Sequence, residues 1–210
     1  MFLRWCCHRH DKMLGITLIE MLLGLLIIGG LLGIVMVGIE LQHNAQNKKI
    51  ARVFIGGWVQ AYDLYHERTG RVPGDPSNTG RTHVPLEAAF ETQFSGIVMQ
   101  LPQGDGEGGI NSYRYNDEQG YIHHLRLAFE SISTASEAIG VGLVGNVMRL
   151  EGVSPTLFAT LEALLDESLS RTQGTLRCRS ILEMDQQDPM RQRNKSQANH
   201  SFVCWYKMRY

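Results

Sequence analysis

ITLIEMLLGLLIIGGLLGIVMVGI, residues 16–39, carries a single charge, Glu20, in 24 residues. A bilayer core needs roughly 20 apolar residues as helix, so the stretch is long enough to span. A secretory signal peptide has a shorter apolar region and then a small-x-small cleavage site. Here the chain runs on through GIELQHNAQNKK, residues 38–49, with no Ala-x-Ala. A lipoprotein signal would set a Cys after the apolar run, whereas Cys6 and Cys7 precede it. Cleavage behind the run is therefore disfavoured. Arg9 and Lys12 stand just before it, while Glu40 follows and Lys48 is further off. The positive-inside rule then keeps the N-terminus in the cytoplasm and exports the rest.

The remainder has the composition of a folded body. The chain has 210 residues and a net charge of −1, which excludes a uniformly basic nucleic-acid coat and an acidic disordered tail. Its mean hydropathy of −0.15 excludes a polytopic membrane protein. The charge is polarised along the chain. Residues 1–15 are basic, residues 16–170 are acidic overall, and residues 171–210 are basic again.

Glu20 is the odd residue of the apolar stretch. A carboxylate inside a membrane costs roughly 2.5–3.5 kcal/mol on insertion scales, so such groups are usually paired. One reading has Glu20 snorkelling at the cytoplasmic interface. The other pairs it with a cation. A cut after Gly15 would expose an α-amino group on Ile16, one helical turn or about 5–6 Å from Glu20. A neighbouring chain shifted axially would offer the same amine.

GITLIE at residues 15–20, set between a basic leader and a long apolar helix, resembles the prepilin signature of type IV pilins and type II secretion pseudopilins. Gly15, Thr17, Leu18, Ile19 and Glu20 match the family pattern, and Ile16 stands where Phe is usual. The resemblance implies cleavage between Gly15 and Ile16 by prepilin peptidase and N-methylation of Ile16. It also implies pairing of Glu20 with the N-terminal amine of an adjacent subunit during filament assembly. The implied partners are other pilin or pseudopilin subunits, prepilin peptidase, an inner-membrane assembly platform and membrane lipid. The leader cluster of Cys6, Cys7, His8 and His10 is incidental on this reading, because it leaves with the leader. The competing class is a signal-anchored periplasmic binding or adaptor protein with an uncleaved membrane helix.

Beyond the apolar stretch, Ile50, Val53, Phe54, Gly57, Trp58, Ala61, Tyr62 and Tyr65 recur at the spacings of one helix face. The helix should end at Thr69-Gly70, with Gly70 left-handed and Pro73 preventing resumption. The expected organisation is a leader (1–15), a membrane or filament-core half-helix (16–40), an amphipathic half (41–70) and a periplasmic head (71–210). The helix from residue 16 to about 68 would be roughly 80 Å long. Gly24, Gly29, Gly30, Gly33 and Gly38 suit close helix packing or local unwinding, and are also common in membrane helices. The fold class expected is α+β, pilin-like: a long N-terminal helix forming the spine of a small head with an antiparallel sheet.

In the head, YHERTGRVPGDP (65–76) resembles pilin-type sequences with a Val-Pro-Gly-Asp turn after the helix. GDGEGG (104–109) and HHLRLA (123–128) loosely resemble a subgroup of them. The 104–109 loop reads as a glycine-rich surface turn; its alternative is a calcium loop with Asp105, Glu107, Asp117 and Glu118 as oxygen ligands. YIHHLRLAFE (121–130) reads as a helix, on which His123 and His124 point about 100° apart and cannot share one metal. Ser154 and Pro155 read as the cap and first turn of another helix.

TLRCRSIL (175–182) and SFVCWYKM (201–208) alternate like strands and could pair antiparallel. Cys178 and Cys204, one in each, are the only cysteines left after leader removal. In an oxidising compartment a disulfide between them would add roughly 3–4 kcal/mol; two free buried thiols are the alternative. Many pilins resemble this in carrying a C-terminal disulfide-bounded loop. Arg177, Arg179, Arg191, Arg193, Lys195, Lys207 and Arg209 read as a solvated basic face, ahead of contact with an acidic neighbouring head or capture of nucleic acid. No Walker loop, G-x-S-x-G, H-E-x-x-H or C-x-x-C occurs. Neither an enzyme nor a cofactor is expected, and a catalytic reading would require a constellation in the head that no spacing marks.

Overall fold

A computed structural model describes residues 17–82, 94, 96–98, 101–102, 104, 109–133, 142–165, 174–180 and 201–210. The chain divides into two units, Met1–Leu41 and Gln42–Tyr210. The described part of the first is helical and belongs to α1 (Leu18–Lys49), which is long and apolar enough to cross a membrane.

The second unit has its own core. A single π-helical turn, Ile50–Ile55, follows α1, and α2 (Gly56–Thr69) follows that turn. The Gly56 N–H donates to the Ala51 carbonyl, the i→i−5 bond of a π turn. Ile50, Ala51, Phe54 and Ile55 are buried together, while Val53, expected on the apolar face, is 61% exposed; at 100° per residue it lies roughly 130° from the centre of the buried face. The regular period resumes in α2 with Trp58, Ala61, Tyr62 and Tyr65 buried. The helix stops where expected: Gly70 sits at φ +67° and donates to the His66 carbonyl at 2.7 Å.

The sheet has five antiparallel strands in the order β1-β2-β3-β5-β4. They are β1 (Ser112–Asn116), β2 (Ile122–Ile132), β3 (Gly145–Val153), β4 (Leu176–Ser180) and β5 (Phe202–Lys207). The residues read as a helix around His123 are thus a strand. Leu, Ala and Glu favour helix locally, but His123, Leu125, Leu127 and Phe129 are buried while His124 and Arg126 are exposed. That is a period of two, and the helix-facing side of the sheet selects it over propensity. The two histidines consequently face opposite sides.

The main core lies between the π turn with α2 and this sheet face. Tyr62 packs on Phe129 at 5.0 Å, Phe54 on Tyr113 at 5.5 Å, and Phe94 meets Trp58, Tyr65 and Phe129. The helix α3 (Pro155–Leu165) adds Leu157, Phe158 and Leu161 to it. Ser154 caps α3 as expected, accepting the Leu157 N–H on Oγ at 3.2 Å. A second apolar cluster, Ile132, Leu143, Val147, Val203 and Trp205, covers part of the opposite face.

β4 and β5 pair antiparallel as expected, with Cys178 directly opposite Cys204, and the two are joined by a disulfide. β3 carries a bulge at Gly152, where the register to β5 shifts between Glu151 and Val153. Gly152 has φ +81°, and an added Cβ would run into the backbone carbonyl of His124. Gly152→Ala is therefore expected to destabilise the head by more than about 2 kcal/mol, read from its urea midpoint; an unchanged midpoint would show that the bulge can relax.

Candidate functional site

Glu20 lies in the first turn of α1, where its N–H and that of Met21 donate to the Thr17 carbonyl at 3.0 and 3.2 Å. The helix dipole places partial positive charge at this end, which suits a carboxylate. Around it, Leu18, Ile19, Leu26 and Ile34 are each more than 70% exposed, and large apolar side chains remain open along the helix to Leu41. Among the described residues an added Cβ at Gly24, Gly29, Gly30, Gly33 or Gly38 would meet nothing within 4 Å. A continuous apolar surface of this kind needs lipid or other apolar helices around it. Gly15 and Ile16 lie outside the described residues, as do the Cys6 to His10 cluster and residues Asp105 and Glu107.

In the head, the Val-Pro-Gly-Asp motif forms the expected turn, with the Asp75 N–H donating to the Val72 carbonyl at 3.1 Å. Asp75 does more than turn the chain. Its carboxylate accepts the backbone N–H groups of Ser77, Gly80 and Arg81 and the Thr79 hydroxyl, at 2.6–3.3 Å. Buried Asn146 ties this loop to β3 and to the chain end. Its amide donates to the carbonyls of Gly80 (2.9 Å) and Tyr210 (2.8 Å), and its oxygen accepts the Thr82 N–H. The Tyr210 ring stacks on His66 at 3.9 Å, and the Tyr62 hydroxyl donates to the Tyr210 carbonyl.

A third polar group lies at the end of the sheet. Asp117 closes the β1–β2 turn: Oδ1 accepts the N–H groups of Gln119 (2.9 Å) and Tyr121 (2.8 Å). Oδ2 faces His123 Nε2 at 2.9 Å, and His123 Nδ1 faces Ser201 Oγ at 3.1 Å. Asp117 and His123 are buried; Ser201, just before β5, is half-buried. Tyr115 stacks against the His123 ring. It is itself pinned, donating to the Gly152 carbonyl at 3.0 Å and accepting the Ser154 N–H at 2.7 Å. Burial raises the pKa of its hydroxyl, which keeps it neutral. No spacing in the sequence marks this grouping, because its three members come from a turn, a strand and a residue 78 positions further on.

Both aspartates titrate low. For Asp117, burial acts to raise the pKa, but hydrogen bonds from His123, Tyr121 and Gln119 outweigh it. For Asp75, burial is likewise outweighed by its four donors. A carboxyl depressed in the folded state contributes stability above its unfolded pKa, about 3.9, and that stability is lost as pH falls through the folded value. The urea midpoint is expected to hold from pH 7 to about pH 5 and to fall below about pH 4. Asp117→Asn should flatten part of that fall; an identical acid limb would show that Asp117 carries none of it.

Among the described residues no group of three or more His, Cys, Asp and Glu side chains could hold a metal. The Asp117 side chain, considered as a calcium ligand, is turned inward to His123 and the β-turn. Of the basic C-terminal residues, Arg191, Arg193 and Lys195 lie outside the described set. Arg177 donates to the Gly174 carbonyl and Arg209 sits over the Tyr210 ring at 5.6 Å, so these two serve local structure rather than forming one patch. No protein-family model, no curated protein and no solved structure matches the chain.

Proposed function

We propose that the chain is a pilin-like structural subunit, processed by prepilin peptidase and assembled into a type IV pilus or a type II secretion pseudopilus. The observation that carries the reading is α1. Over residues 18–39 it is apolar on every side but for one carboxylate in its first turn, and it precedes a head with a separate, disulfide-linked core. A helix of this kind can be held by lipid before assembly and by copies of itself afterwards. Glu20 then supplies the one polar contact that sets the stagger between neighbours, by pairing with the amine of Ile16 on an adjacent chain. On this reading the precursor crosses the bacterial inner membrane once, N-terminus inside and head in the periplasm. The oxidised Cys178–Cys204 pair suits that compartment. The head is longer than a minimal pilin needs, which favours a minor subunit.

The test is the mass of the N-terminal peptide from membrane-extracted protein. A chain beginning at N-methyl-Ile16 is expected. A chain beginning at Met1, from cells whose prepilin peptidase processes its other substrates, would overturn the reading and leave an uncleaved anchor on a periplasmic binding or adaptor domain.

A further inference from the structure

Ser201, His123 and Asp117 form a hydrogen-bonded relay in the head that filament assembly does not require. Its proton positions follow from the chemistry of the groups. The Asp117 carboxylate can only accept, so the His123 nitrogen facing it at 2.9 Å, Nε2, carries the hydrogen. In the neutral ring Nδ1 is then bare. It faces Ser201 Oγ at 3.1 Å and must accept the hydroxyl proton. The serine is thus the donor and the imidazole its base, with the carboxylate fixing the tautomer.

The base is also held rigidly. Asp117 is locked by two backbone N–H groups of its own turn, and the imidazole is flanked by Tyr115, whose hydroxyl is bonded on both sides. Asp117 and His123 are buried, while Ser201 is half-buried, which makes the serine the most exposed residue of the three. Packing alone would be served by an apolar residue at His123, which lies on the core-facing side of β2 beside Leu125 and Leu127. A buried imidazole with one nitrogen on a carboxylate and the other on a hydroxyl pairs base and alcohol as a Ser-His-Asp site does, here with the two ring nitrogens in exchanged positions.

We propose that Ser201 is an activated nucleophile that takes acyl groups from small esters, with His123 as general base and Asp117 orienting it. Ser201 Oγ bonds to the ester carbonyl carbon as its proton passes to His123 Nδ1. The carbonyl–alkoxy bond then breaks and the departing alcohol takes that proton. Water, deprotonated by the same nitrogen, releases the acid and restores the serine. This inference is independent of the filament reading.

The test uses the full chain in detergent with two probes, a fluorophosphonate and p-nitrophenyl acetate. A fluorophosphonate adduct on the Ser201 peptide is expected, absent in Ser201→Ala. His123→Gln should slow its formation by at least about 100-fold, the range of general-base assistance. Acetate release should show the same dependence. Because His123→Gln could disturb packing, Ser201→Cys gives a second readout with the base intact. Its thiol should be alkylated by iodoacetamide at neutral pH at least about tenfold faster than a cysteine placed at exposed Tyr121. No adduct on Ser201 in folded protein would overturn the proposal. So would an adduct formed equally fast without His123, or an ordinary rate at the introduced cysteine.

Discussion

Glu20→Ala is expected to leave the protein fully inserted in the membrane and to cut its incorporation into filaments by about 100-fold. The sign of each effect is separable. Removing a carboxylate from an apolar stretch lowers the cost of insertion, by roughly 2.5–3.5 kcal/mol at the bilayer centre. Insertion can therefore only become easier. Assembly moves the other way if Glu20 pairs with a neighbour's amine, because the variant leaves that amine desolvated with no counter-charge. A loss of about 2.7 kcal/mol per contact corresponds to the 100-fold expected. Nothing in the head should change, since Glu20 lies in the first unit, Met1–Leu41, and the core in the second. The measurement compares the variant in sheared filaments with the variant in membranes, and Glu20→Asp should recover part of the signal. Incorporation at the parent level would remove the charge-pair reading and return Glu20 to an interfacial position.

The second large effect is in the head. Cys178→Ser is expected to lower its stability by roughly 3–4 kcal/mol, from the loss of a cross-link that closes a loop between residues 26 apart. For a domain whose total stability is about 5–15 kcal/mol this is a large share. Among the described residues β4 pairs only with β5 and stands at the sheet edge, so the bond also holds that strand in place. Cys204 is fully buried and should react with a thiol reagent only after unfolding. Urea unfolding with a thiol titration checks both. An unchanged midpoint would mean that strand pairing alone secures β4.

How far each feature could be read from the chain depended on how local its cause is. The apolar helix was legible because 24 residues with one charge have few solutions, whatever lies around them. Gly70 and Ser154 were legible as a stop and a cap because each satisfies backbone groups within a few residues of itself. The Cys178–Cys204 pairing was legible because two alternating strands flanked one polar connection. The π turn was not. The side-chain pattern of residues 50–55 fits an ordinary helix equally well.

β2 shows the same limit from the other side. Its residues have helical propensity of about the same size as their strand preference, so local energies leave it nearly undecided. The neighbouring strands decide it, because β1 and β3 supply the hydrogen bonds and α2 supplies the surface on which Phe129 packs. That decision sets His123 inward and His124 outward, and only then can His123 meet Asp117 and Ser201. The sequence by itself determined the membrane-length helix, its lone carboxylate, the helix ends and the paired cysteines, because short-range chemistry suffices for each. The tertiary structure alone decided the strand at 122–132, the π turn at 50–55 and the Asp117–His123–Ser201 relay. These depend on contacts between distant segments, which exist only once the sheet has closed over the helix.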